Sequence, residues 1–226
     1  MPFGLGHALS MKAIHGGKAK HDTSDSQKIA TLLRGGMLPQ ASVSPAAMRA
    51  TRDLLRRRTH LMRKRAALLA HGPNTNSPYT LPEIGKKSAY KANRDGVAER
   101  FDDPAVPKTI AVDLALITSD EKMLSDLALC ILKTAKQHDA PTLYLLQTVP
   151  GMGKILSLVL LYDIHDIDRF PRGQDCASSC RLMKCAKASG GKRVGTSGHK
   201  IGNAHLKWAL SEAATLCRRG NEPGQK

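Results

Sequence analysis

Acidic residues are scarce in this chain: 19 Asp and Glu stand against 35 Lys and Arg, a formal charge of +16 over 226 residues. So large an imbalance points to a polyanionic partner, either nucleic acid or an anionic membrane surface. Long apolar runs are lacking too. None approaches the roughly 18–20 residues needed to span a bilayer. The N-terminus, MPFGLGHALSMKAIHGG, has no basic segment followed by a sustained apolar one, so it does not read as a secretory signal. The expectation is a cytoplasmic, nucleoid-associated protein with no membrane partner. Its length suits one large domain or two small ones.

Cysteine is present without a framework. The five residues, at 130, 176, 180, 185 and 217, are odd in number and lack disulfide spacing, which fits reduced thiols. Cys176, Cys180 and Cys185, followed by His199 and His205, could be read as zinc ligands. No close pair followed by a second pair occurs, so apolar or half-buried thiols are the better reading.

Three sections separate by pattern. Residues 1–45 mix a short apolar and basic piece with His21-Asp22-Thr23-Ser24-Asp25-Ser26, a helix from about Ser24 to Arg34, and a Gly35-Gly36 stop. Asp22 and Asp25 lie three residues apart just before the apolar run. Two readings fit them: a capping arrangement at the positive end of a helix dipole, or carboxylates of a metal site.

Residues 46–140 predict two long helices, Ala46–His71 and about Thr109–His138, joined by a loop over 72–107. Leu54, Leu61 and Leu68 recur every seven residues, with Leu55, Met62 and Leu69 beside them; Ile117, Leu124 and Ile131 do the same on the second helix. An antiparallel coiled-coil arm is expected. The first helix also carries Arg49, Arg52, Arg56, Arg57, Arg58, Arg63, Lys64 and Arg65 against a single acid, Asp53. Self-repulsion along such a helix would be relieved by a phosphate backbone, so these cations are candidate nucleic-acid contacts, the alternative being a solvated outer face.

Residues 141–226 read as a compact helical domain. Apolar segments flank Val149-Pro150-Gly151-Met152-Gly153-Lys154, the sequence form of a helix-hairpin-helix. Gly151 and Gly153 would let the backbone turn sharply and present N–H groups to a phosphate, and Lys154 would add a point charge. An ordinary helix–helix turn is the alternative. A final helix opens near Asn203 with the stripe Leu206, Leu210, Ala213 and Cys217, and Trp208 reads as core. Before it, Lys184, Lys187, Ser189, Gly190, Gly191, Lys192, Arg193, Ser197 and Lys200 make a Gly-rich, Lys-rich stretch expected to be a mobile loop that approaches a polyanion closely.

Four pieces, GHALSMKAIHGGKAKHDTSD, MRATRDLLRRRTHLMRKRAALLAH, TVPGMGKILSLVLLYDIHDIDRF and CAKASGGKRVGTSGHKIGNAHLKWALSEAA, resemble in order the insertion-sequence transposases of the IS110 family, also called IS116 or IS902. The resemblance implies a two-part recombinase: an RuvC-like α/β nuclease domain with Asp, Glu, Asp and Asp, and a C-terminal transposase domain with a nucleophilic serine, joined by a coiled coil. It implies Mg²⁺ as cofactor, DNA and a structured bridge RNA as partners, and a homo-oligomer. Asp22 and Asp25 match the last two acids, and Ser189 matches the serine. Lys187, Lys192 and Arg193 could then stabilise charge during attack on a phosphodiester. Ser197, Ser178 and Ser179 are weaker candidates. The family's first Asp and its Glu have no counterpart, since Asp22 is the first acid in the sequence. The fold expected is therefore mainly α: a remnant of the RuvC-like domain, a coiled-coil arm and a helical transposase domain. The chain is expected to be a copy truncated at both ends that does not recombine DNA unaided. A non-catalytic DNA- or RNA-binding module, or a helical protein whose charge serves only solubility, are the other functional classes.

Overall fold

A computed structural model describes residues 4–14, 21–76, 78–79, 89–183, 185–197 and 202–220. The described chain is mainly helical and divides into two compact units, Arg49–Thr148 and the pair of segments Met1–Met48 and Val149–Lys226. Among the described residues no helix is long and apolar enough to cross a membrane.

The unit Arg49–Thr148 is built on two long helices, α3 (Ala46–Asn76) and α4 (Ala105–Thr148). They run antiparallel: Lys64 meets Asp120, and His71, seven residues further along α3, meets Asp113, seven residues back along α4. The buried positions of α4 include Val106, Ile110, Ile117, Asp120, Leu124, Ile131 and Ala135. Their steps of three, four and seven are what a helix needs to keep one stripe on a neighbour. On α3 the predicted stripe is rotated slightly. Leu55 is buried, Leu54, Leu61 and Leu68 are half-buried, and Met62 is exposed. Thr51 is buried and Arg58 and Arg65 half-buried, so polar residues share the face that leucine spacing alone assigns to apolar ones.

Helix ends differ from expectation for local reasons. α3 continues past His71 through Pro73, with Thr75 Oγ1 donating to the His71 carbonyl at 2.9 Å. α4 begins four residues before Thr109, where Asp103 Oδ1 accepts from the Ala105 N–H at 2.8 Å. It breaks at Asp139, whose backbone is extended, directly after the predicted end at His138. Asp139 Oδ1 then accepts from the Thr142 N–H at 3.0 Å, capping a fresh helical segment that Pro141 opens. Between α3 and α4 lie two short 3₁₀ turns, Lys91–Asn93 and Ala98–Arg100. Val97, Phe101, Val106 and Ile110 form a buried cluster that fastens this connection to α4. The Tyr79 ring meets Phe101 edge-on, with centroids 5.6 Å apart.

In the other unit, α1 (Ala8–Ile14) starts at His7, whose Nδ1 accepts from the Ser10 N–H at 3.3 Å. His7 N–H donates to the Pro39 carbonyl and Ala41 N–H to the Leu5 carbonyl, both at 2.7 Å, so residues 5–7 and 39–41 pair in an antiparallel bridge. α2 (Asp22–Arg34) lies between them and stops at Gly35 and Gly36. Next come α5 (Lys154–Ile164), α6 (Gly173–Ser179), the antiparallel strands β1 (Cys185–Ser189) and β2 (Lys192–Ser197), and α7 (Ala204–Gly220).

α5 is apolar on every side, and every residue from Leu156 to Asp163 is buried. α7 packs against it and brings Leu206, Ala209 and Ala213 into the core. Two corrections to the expected stripe follow: Ala209 replaces Leu210 as the fully buried residue, and Trp208, read as core, is 40% exposed. The start of α7 is tied to the end of α6. Asn203 Oδ1 caps the His205 and Leu206 N–H groups, Asn203 N–H donates to the Ser179 carbonyl at 2.8 Å, and Arg181 Nε donates to the Gly202 carbonyl at 2.6 Å. Cys180 is buried beside Cys176, while Cys130 is exposed and Cys217 half-buried.

Candidate functional site

Asp22 and Asp25 open α2, both exposed in its first turn. The capping reading is corrected in detail: the N-cap residue is His21, and no side chain caps the helix. The carboxylates still sit at the positive end of the dipole. Asp25 Oδ1 lies 3.4 Å from Lys28 Nζ, and Ser24 Oγ donates to the His21 carbonyl. Among the described residues no group of three or more His, Cys, Asp or Glu is arranged to hold a metal ion. Mg²⁺ prefers six oxygen ligands in an octahedron, and two exposed carboxylates one turn apart, one already near a lysine, do not make that site by themselves.

The glycine turn occupies residues 149–153 between the last segment of α4 and α5. Gly151 has φ +82°, and a Cβ added there would lie 2.5 Å from the Cys217 nitrogen and 2.6 Å from the Ala213 carbonyl oxygen. Only glycine permits that seat on the α7 backbone. Gly153 is different: exposed, with an ordinary backbone and open space around its missing Cβ, it is the N-cap residue of α5. The Ser157 N–H donates to its carbonyl and Ser157 Oγ returns to the same oxygen. Lys154 follows, exposed, at the positive end of the helix.

Ser189 ends β1 and pairs across the strands with Lys192. The mobile-loop expectation is corrected here. Gly190 and Gly191, at φ +56° and +75°, form a two-residue turn whose double positive φ matches the right-handed twist of a hairpin. Both residues of the Ser189–Lys192 pair are exposed, as are the two glycines. Ala188 pairs with Arg193 and Lys187 with Gly195, leaving Val194 as the extra residue of a bulge, 65% exposed. Lys187 and Arg193 are therefore placed along the same ribbon. Lys184, Gly198, His199 and Lys200 lie outside the described residues. Among the described residues no hydrogen bond or ion pair joins Ser189 to a general base or to Asp22 or Asp25. Ser178 and Ser179 end α6 away from this turn in sequence, with the Ser179 carbonyl taken by Asn203.

The basic face of α3 is partly neutralised from within. Lys64 Nζ is 3.5 Å from Asp120, which is buried on α4, and Arg65 binds Glu121 Oε1 through Nη2 at 2.6 Å and Nε at 3.1 Å. Arg94, only 5% exposed, reaches the same oxygen at 2.5 Å, and both guanidinium groups also donate to the Ala89 carbonyl. The Arg94 hydrogen bond, helped by Arg65, holds the Glu121 carboxyl below its ordinary range. Arg56 and Arg58 are half-buried, and burial pulls the Arg58 guanidinium below its usual value. Arg57 and Arg63 are exposed. Sequence reasoning misses Arg94, Asp120 and Glu121, because nothing local marks acids that will be met by bases 27 and 56 residues away.

Residues 143–226 match the family model described as Transposase IS116/IS110/IS902 family. No curated protein matches this sequence. The matched stretch holds the glycine turn, the largely buried α5, the Ser189 hairpin and α7. Over that stretch the chain is similar to the IS116/IS110/IS902 family of transposases.

Proposed function

We propose that this chain is a DNA-binding transposase of a mobile insertion sequence in which Ser189 is placed as the nucleophile for one phosphodiester, and that it does not complete recombination unaided. The observation that carries the reading is the exposed serine at a glycine turn, paired with a lysine, inside the stretch that matches the transposase family. In the step proposed, Ser189 Oγ forms a bond to phosphorus while the bond from phosphorus to the leaving deoxyribose oxygen breaks. The hydroxyl proton passes to solvent or to a base brought by the partner, and the leaving oxygen takes up a proton. Lys192 and the neighbouring Lys187 and Arg193 supply positive charge where the phosphorane gains negative charge. Electrostatics of this kind acts on any phosphodiester, so target choice comes from elsewhere; the bridge RNA implied by resemblance would supply it.

Arg56, Arg57, Arg58, Arg63, Lys64 and Arg65 on α3 in one unit, and separately Gly151, Gly153 and Lys154 in the other, are proposed nucleic-acid contacts, as is Lys200, which lies outside the described residues. Arg57, Arg63 and Lys154 are the exposed members without an ion pair among the described residues. Magnesium belongs to the proposal only as an ion that Asp22 and Asp25 would help to hold with further oxygen ligands, and no step above passes through it. A remnant of an RuvC-like domain in residues 1–45, a coiled-coil arm, a helix-hairpin-helix and a homo-oligomer are parts of the same reading.

A second reading, a binding module without chemistry, is favoured by one observation: among the described residues no hydrogen bond links the Ser189 hydroxyl to a base. Incubation with a nicked duplex that traps covalent intermediates separates the two. The expected result is salt-dependent DNA binding by both the wild type and Ser189→Ala, with a denaturant-resistant, protease-sensitive adduct in the wild type only. Binding without any adduct, at every Mg²⁺ concentration, leaves the second reading. An adduct that persists in Ser189→Ala moves the nucleophile elsewhere.

A further inference from the structure

The β1–β2 hairpin stands apart in its packing. Among the described residues the two strands pair with each other, and no helix packs on either to a comparable extent. Its tip, residues 188–192, is exposed throughout, and nothing lies within 4 Å of the positions a Cβ would take at Gly190, Gly191 and Gly195. A short two-stranded ribbon is marginal alone in water, because it cannot bury a face. A ribbon kept in this form gains most from a partner that surrounds it.

Charge names the partner's sign. From Cys176 to Ser211 the sequence has no acidic residue, while Arg181, Lys184, Lys187, Lys192, Arg193, Lys200 and Lys207 fall within it. Dimensions and composition then choose among polyanions. Two paired strands are about 5 Å apart, backbone to backbone, and the major groove of B-form DNA is about 12 Å wide and 8.5 Å deep, enough for such a ribbon with its side chains. The major groove of duplex RNA is deep and too narrow for side chains to read. Single strands are held by stacking on aromatic rings, and the hairpin CAKASGGKRVGTS contains none.

Resting on the reading of the chain as a DNA-acting protein, we infer that the β1–β2 hairpin enters the major groove of duplex DNA. Lys192 at the tip meets a phosphate on the groove wall. Val194, turned out of the ladder by the bulge, offers an apolar contact of the kind that a thymine methyl accepts. The hairpin thereby both anchors the protein and carries Ser189 to the sugar–phosphate edge.

The test uses the full chain and a fluorescent duplex of about 30 base pairs, with methyl green as a major-groove competitor and netropsin as a minor-groove one. Binding is followed by anisotropy over a salt series, with far-UV spectra to show that each variant keeps its helices. Methyl green is expected to displace the wild type and netropsin to leave it bound. Lys192→Ala should lower the salt slope by about one phosphate's worth, roughly 0.9. Lys192→Ala combined with Val194→Ser should weaken binding about tenfold and abolish sensitivity to methyl green. If the double variant binds with wild-type affinity and the same methyl green sensitivity, or netropsin is the effective competitor, the groove assignment is overturned while DNA binding stands. It is equally overturned if single-stranded DNA or duplex RNA of equal sequence binds more tightly than the duplex. Failure of the wild type to bind any nucleic acid would remove the functional reading as well.

Discussion

Arg94 Nη2 donates to Glu121 Oε1 at 2.5 Å, joining the connection between the long helices to the middle of α4. Arg94 is almost wholly buried, so Glu121 is the counter-charge that makes its burial tolerable. Arg65 shares the same oxygen, and one glutamate thus ties α3, α4 and the residues between them.

Glu121→Gln should destabilise the unit by about 1.5–3 kcal/mol near neutral pH, the range for hydrogen bonds to charged groups. The sign of the pH effect follows from the depressed carboxyl, caused first by the Arg94 hydrogen bond. Stability from this group is fully present above the ordinary glutamate value of about 4.5 and is lost as pH falls through the lower folded-state value. Urea midpoints should therefore differ most between wild type and variant at pH 7 and converge towards pH 3. An equal gap at both values would show that the charge is not what matters.

Gly151→Ala should cost about 2–4 kcal/mol, combining backbone strain at positive φ with overpacking against α7. Gly153→Ala, at an exposed position with open space, should cost under about 1 kcal/mol. Thermal denaturation of the two variants reads the contrast. Equal, small losses would mean that the turn does not sit on the Ala213–Cys217 backbone.

Two neighbours on α7 give a second contrast. Leu206→Ala removes a fully buried side chain and should cost about 2–5 kcal/mol. Trp208→Ala should cost under about 1 kcal/mol for its exposed position, despite the larger residue. Trp208 is the single tryptophan, so the wild type's fluorescence should also be readily quenched by acrylamide in the folded state.

Thiol chemistry should follow burial. Burial, and then the neighbouring Cys176 thiol, push the Cys180 pKa up to about 12, so almost no thiolate forms at pH 8. Cys130 is exposed on α4. Iodoacetamide labelling mapped by mass spectrometry should modify Cys130 within minutes and Cys180 only after denaturation. Similar rates at both would contradict the packed end of α6.

Much of the architecture is legible in the sequence because helices announce themselves by period. Ile117, Leu124 and Ile131 fall on the buried stripe of α4, and Asn203 opens α7 where a capping residue should. The hairpin escapes a first reading although its signal is present: two adjacent glycines between short segments are a hairpin turn as readily as a loop. A high glycine and lysine content suggests flexibility just as well, and that hides the strands. Partners of Lys64 and Arg65 are not legible, since a run of cations shows no trace of acids supplied by another helix. Ser189 stands out by resemblance alone; its position opposite Lys192 depends on a strand register that composition does not reveal.

That register has a mechanical consequence. Directly opposed residues on neighbouring strands keep their Cβ atoms about 5 Å apart, and the glycine turn closes one residue beyond them. Any tilt or flexing of the ribbon therefore carries the Cβ atoms of Ser189 and Lys192 together. The lysine stem stays free to swing, so the register sets where its ammonium can reach from the serine and leaves its final position to whatever anion the tip meets.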